Sequence, residues 1–143
     1  MNGEFCVAVH ALVYLNHRGD TVSSEALAEN ICTHAARVRR VMAKLKRAGL
    51  IATKEGAEGG YQFIGDPEAV SLAHIADALD VQCVSLTWHS GDTDLPCLVA
   101  SGMAGIMDEV CGQLNGRCRE YLSCVTIAAI DRRIFTAPGG ERG

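Results

Sequence analysis

A chain of 143 residues, 48% of them hydrophobic, has the size of one domain or of a small domain with an added element, and its apolar content excludes a wholly disordered protein. It holds no run of about 18 apolar residues and no charged leader before an apolar core, so a helical membrane span is not expected and the expected location is cytoplasmic. The formal charge of −4 argues against a nucleic-acid partner only if charge is evenly spread. It is not: between Asn30 and Lys54 there is no Asp or Glu, and Arg37, Arg39, Arg40, Lys44, Lys46, Arg47 and Lys54 supply seven of the 13 basic residues.

In chain order, "EFCVAVHALVYLNHRG" spaces Phe5, Val9, Leu12 and Val13 as one face of an amphipathic helix that stops at Gly19. "TVSSEALAENI" offers Ser23 or Ser24 as the cap of a short helix with Leu27, Ala28 and Ile31 inward. A third helix, expected to start from a Thr33 cap and run from His34 to about Ala48, carries Val38, Val41, Met42 and Leu45 on one stripe and ends at Gly49. Two short helices joined by a tight turn, the second bearing the cations, is the order of a helix-turn-helix.

Two β-prone runs, Leu50 to Thr53 and Tyr61 to Ile64, flank a glycine-rich turn and predict a hairpin. A Ser71 cap then opens a short helix with Leu72, Ile75, Ala76 and Leu79 inward. From Val81 to Pro96 the periodicity is lost, which predicts a long loop that is functional or disordered. Between Leu98 and Tyr121, Val99, Met103, Ile106, Met107, Val110, Cys111, Leu114, Cys118 and Tyr121 keep helical spacing. Gly102, Gly105, Gly112 and Gly116 weaken this helix intrinsically, so packing must hold it, and a long apolar helix hung on a small domain predicts a dimer seam. "VTIAAIDRRIF" predicts a last short helix.

These pieces resemble the Rrf2 family of winged helix-turn-helix transcriptional regulators. "KRAGL", "GAEGGY" and "SLAHIADAL" carry the resemblance, which covers residues 1 to 82 by motif and the long helix by position and character. It implies a mainly α fold with a small β-hairpin wing. Residues 1–82 would form the winged helix-turn-helix DNA-binding domain, 83–97 a loop, 98–135 the dimerisation helix and terminal short helix, and 136–143 a disordered tail. It further implies a homodimer on a palindromic double-stranded operator, acting as a repressor rather than as an enzyme. Carried onto this chain, Ser23 and Ser24 would meet phosphate at a helix N-terminus, and Thr33, His34, Arg37 and Arg40 would face the major groove. Gly59, Gly60 and Tyr61 would form the wing, with Lys44 and Lys54 on phosphates. Where many members carry a basic wing-turn residue, this chain has Glu58, which would repel a phosphate. A winged-helix module that binds proteins instead of DNA is the alternative.

Seven cysteines, an odd number without a secretory leader, predict free thiols rather than a disulfide framework. Cluster-binding members of the family use three closely spaced cysteines before the dimer helix. Here Cys83, Cys97 and Cys111 are separated by 13 residues each time, so an iron–sulfur cluster is the less favoured sensor and no cofactor is expected. A zinc site at His89 and Cys97 lacks a paired ligand motif. Cys6, Cys111, Cys118 and Cys124 read as small core residues. Cys32, beside a cationic helix N-terminus, and Cys97, before the dimer helix, are the candidate redox pair. Oxidation of Cys32 to a sulfenic acid would be resolved by Cys97 of the other subunit.

Overall fold

The computed structural model describes residues 1–136; the expected disordered tail lies, apart from Thr136, outside the described residues. Helix α1 (Gly3–Arg18) starts where Asn2 accepts from the Phe5 N–H and ends on Gly19. Helix α2 (Ser24–Ile31) is capped by Ser23, whose hydroxyl accepts from the Ala26 N–H at 3.1 Å. Helix α3 (Ala35–Arg47) follows after a three-residue turn, with His34 rather than Thr33 at its cap and no side-chain capping bond. The stop at Gly49 needs a positive φ, 78°, which glycine adopts without steric cost.

Strands β1 (Ile51–Lys54) and β2 (Gly60–Phe63) pair antiparallel with Ile51 opposite Phe63 and Lys54 opposite Gly60. Helix α4 (Leu72–Ala78) opens with a capping box in which Ser71 and His74 bond each other's backbone N–H. The long α5 (Leu98–Ser123) has 26 residues, about 39 Å. The short α6 (Ile127–Thr136) completes the described chain.

One core joins these pieces. Leu12 and Leu15 of α1, Leu27 of α2, Val38, Val41, Met42 and Leu45 of α3, Ile75 of α4 and Ile127 of α6 are all fully buried in it. Truncating one of the buried leucines to alanine would cost about 2–5 kcal/mol, because the neighbours cannot collapse fully onto the space. The α5–α6 corner is sewn to α4: the Leu72 N–H donates to the Val125 carbonyl at 2.8 Å and the Ile127 N–H to Val70 at 3.1 Å. Helix α6 then lies on α1, where the His17 and Phe135 rings stack at 3.8 Å.

Helix α5 leaves this block. It packs on α4 near its C-terminal end, where Arg119 grips Asp77 through two bonds of 2.5 and 2.7 Å and Leu122 is buried. Toward its start its side chains are open, Leu98 at 87% exposure and Val99 at 67%. The segment 83–97 is neither helix nor free loop; it is a strap folded back along α5. Val84 exchanges two hydrogen bonds with the Asn115 amide (2.9 and 2.8 Å), His89 bonds Asp108 at 2.5 Å, and the Asp92 N–H donates to the Ala100 carbonyl at 2.9 Å.

Candidate nucleic-acid interface

Four buried residues, Val38, Val41, Met42 and Leu45, fix the rotation of α3. At 100° per residue the opposite ridge is Ala36, Arg40, Ala43 and Arg47, and all four are exposed. The alternation has a physical use. Two alanines leave the helix slim enough to lie close to a grooved surface, while two arginines one and a half to two turns apart reach into it. An arginine fork matches the two acceptors of a guanine edge or a phosphate. No Asp or Glu lies on α3 to oppose them.

The other cations flank this ridge, and three of them are already engaged. Lys44 bonds Glu4 of α1 at 3.1 Å, so the sequence-predicted phosphate contact is held by a carboxylate. Arg37 lies on the same side, its guanidinium against Gly3. On the other flank Arg39 reaches the Ser24 hydroxyl at 3.4 Å and Glu25 at 3.7 Å, and Lys46 bonds Thr53 of β1 at 3.0 Å. Of the arginines expected in the groove, Arg40 stands on the ridge and Arg37 at its edge. Arg47, on the ridge, and Arg39, beside the α2 N-terminus, were not among the residues expected at DNA; a helical projection from the apolar stripe places Arg47 there.

Thr33 and His34 form the turn into α3, with His34 exposed. Ser23 spends its acceptor on its own cap, while Ser24 donates to Glu25 at 3.2 Å. An anion at the α2 N-terminus would therefore have Ser24 and Arg39 to meet it, with Glu25 as a nearby repulsion.

In the hairpin, Tyr61 exchanges backbone hydrogen bonds with Val22 at 2.8 and 2.9 Å, which pins β2 to the lead-in of α2. A Cβ on Gly60 would stand 2.3 Å from the Val22 carbonyl oxygen, and one on Gly59 2.5 Å from that of Lys54. These glycines serve close backbone approach. Burial pushes the Tyr61 phenol up, against the pull of Arg39. The exposed turn beyond them carries Lys54, Glu55 and Glu58, a net acidic tip.

The two candidate redox thiols sit at opposite kinds of helix end. Cys32 is the residue after α2, in the left-handed region at φ 63°, with its N–H on Ala28 and Glu29 and the next N–H, of Thr33, on Ala28. This is a Schellman-type stop at a position glycine usually fills. Its exposed thiol points to the Glu29 carbonyl at 3.7 Å, the negative end of α2, not to the N-terminus of α3. Cys97 is the N-cap of α5. It makes no full capping bond, but the N–H groups of Ala100 and Val99 face its sulfur and hold this exposed thiol below the ordinary range. Cys97 lies 22 residues before Arg119, about 33 Å along the helix from the α4 junction.

Among the described residues, no three His, Cys, Asp or Glu side chains gather as a metal-binding group within one chain. No helix of the described residues is long and apolar enough to cross a membrane.

A family model, Rrf2, described as an iron-dependent transcriptional regulator, matches residues 1–132. The chain is similar to the HTH-type transcriptional regulator IscR of Vibrio cholerae, 23% identical over 90% of this chain and 71% of that protein. Among solved structures it superposes on IscR from T. potens with a TM-score of 0.70 at 18% identity, covering 100% of this chain and 91% of that one. It also superposes on CymR, the global cysteine regulator of B. subtilis, with a TM-score of 0.68 at 16% identity, covering 92% and 95%. These are winged-helix regulators with a long C-terminal helix, the architecture expected from the sequence.

Proposed function

The chain belongs to the Rrf2 family of transcriptional regulators, and on that premise we propose that it reads a palindromic DNA operator as a homodimer and represses by occupying it. The observation that carries this reading is the Ala36, Arg40, Ala43, Arg47 ridge: slim, doubly cationic and free of ion-pair partners among the described residues. Ser24 and Arg39 would hold one phosphate at the α2 N-terminus. The acidic hairpin tip favours a wing that stays outside the minor groove, so affinity and sequence reading would fall chiefly to α3.

Homodimerisation is supported by the uncovered apolar stripe of α5, Val99, Ile106, Val110, Leu114 and Tyr121. For the switch, Cys97 is the thiol poised for oxidation, and Cys32 would resolve it across the dimer, the reverse of the order expected from sequence. A bond at Cys32 would act on the turn that aims α3.

Fluorescence anisotropy on the DNA upstream of its own coding sequence tests the reading. The slope of log affinity against log salt should be steep, roughly −0.9 per phosphate neutralised. Arg40→Ala should weaken binding roughly 10- to 100-fold with unchanged thermal unfolding. Binding to no fragment of that DNA at low salt would favour the protein-interaction module instead.

A further inference from the structure

The strap brings together two thiols that the proposed switch does not use. The Val84–Asn115 clamp, two hydrogen bonds of 2.9 and 2.8 Å, fixes one point of the strap against one turn of α5. The strap runs antiparallel to α5, since Val84 meets Asn115, His89 meets Asp108 and Asp92 meets Ala100. Cys83, one residue before the clamp, is therefore displaced toward the α5 C-terminus. Cys118 lies three residues past Asn115, one turn along the same side of the helix. Cys83 thus shares one hollow with Asn115, Gly116 and Arg119, beside the turn of α5 that carries Cys118, and both thiols are half-buried. Arg119, next to Cys118, is the residue that grips Asp77 of α4.

We infer that Cys83 and Cys118 are a redox-active dithiol, which a hydroperoxide converts to an intrachain disulfide that staples the strap to α5 beside the α4–α5 junction. Burial pushes the Cys83 thiol up, with Cys118 beside it adding to the rise, which suits Cys83 to the resolving role. The Cys118 thiolate attacks the terminal peroxide oxygen; the O–O bond breaks, an alcohol or water leaves, and Cys118 becomes a sulfenic acid. The Cys83 sulfur then attacks that sulfur, the S–S bond forms, and the hydroxyl departs as water with the Cys83 proton. Two thiols lose two electrons and two protons, and one hydroperoxide is reduced. The bond closes a loop within one chain, so it produces no covalent dimer and is separable from any Cys32–Cys97 link. Its consequence for DNA rests on the proposed function, whereas its existence does not.

Cleavage before aspartate and after arginine puts each of these thiols on its own peptide: Cys83 on 80–91, Cys97 on 94–107, Cys111 on 108–117 and Cys118 on 118–119. Full-length protein oxidised with stoichiometric hydrogen peroxide, alkylated and digested should yield 80–91 joined to 118–119. The joined species should migrate as a monomer on a non-reducing gel. Cys83→Ser should leave Cys118 as a trappable sulfenic acid, and Cys118→Ser should leave Cys83 as a free thiol. Cys83 and Cys118 both recovered as singly alkylated or over-oxidised residues after complete peroxide consumption would overturn the inference, as would either one joined to a different cysteine. None of these readouts depends on operator binding, so a failed dithiol and a failed DNA-reading assignment give different results.

Discussion

Cys32 and Cys97 illustrate how much a residue's chemistry depends on which end of a helix holds it. The sequence places Cys32 two residues before a basic helix, where a dipole and cations would favour thiolate. In the fold it belongs to the preceding helix, as its left-handed C-terminal stop, and faces a carbonyl. Cys97 has the arrangement expected of Cys32: N–H groups of Val99 and Ala100 stabilise its anion. Because its ionisation lies below the ordinary thiol range, its thiolate persists at lower pH than that of an unperturbed cysteine. Iodoacetamide labelling followed by peptide mapping should show Cys97 modified first, with a lead that widens as pH falls from 8 toward 7. Peroxide should give a covalent dimer lost in both Cys97→Ser and Cys32→Ser; a dimer that survives Cys32→Ser would remove Cys32 from the switch. Sequence shows which thiols avoid the helical stripes, but not the φ of one turn residue, which the packing of α2 against α3 sets.

At the scale of elements, the stripe of α3 was legible because four apolar residues at helical spacing have only one way to face a core. The strap was not: its contacts, Val84 to Asn115 and His89 to Asp108, join polar residues with no periodic signature. The α4–α5 junction depends in the same way on one bidentate pair, Asp77 with Arg119. The hydrogen bond from Arg119 holds the Asp77 carboxyl below the usual range, with burial opposing. The sign follows from that depression. The pair contributes stability above the ordinary carboxylate value near 4 and loses it as pH falls through the lowered one. Both side chains are half-exposed, so the contribution is about 0.5–1 kcal/mol. Asp77→Asn should lower the melting temperature by roughly 1–4 °C at pH 7, and calorimetry should find the two proteins converging as pH falls through the lowered Asp77 value.

For the whole molecule, the decisive feature is an apolar helix face that the described residues leave open. Tyr121 is 66% exposed and Val99 67%, while the strap covers only the opposite side of α5. A second copy burying this stripe would also set the spacing of two α3 ridges, which is what a two-fold symmetric operator measures. Leu114→Asp should therefore shift sedimentation from dimer to monomer and cost operator affinity by at least tenfold. Its helical circular dichroism should stay intact, since Leu114 is 44% exposed and lies outside the core. A Leu114→Asp protein that remains dimeric would place the interface elsewhere.

The sequence by itself determined the helices, the hairpin, the basic α3 and the family, because periodicity, caps and glycine stops act over a few residues and are written in neighbouring positions. Tertiary structure decided which cations of α3 are engaged, how the strap lies along α5 and where α5 meets α4. Those outcomes depend on residues far apart in the chain, Lys44 with Glu4, Val84 with Asn115 and Asp77 with Arg119, and no local rule brings them together.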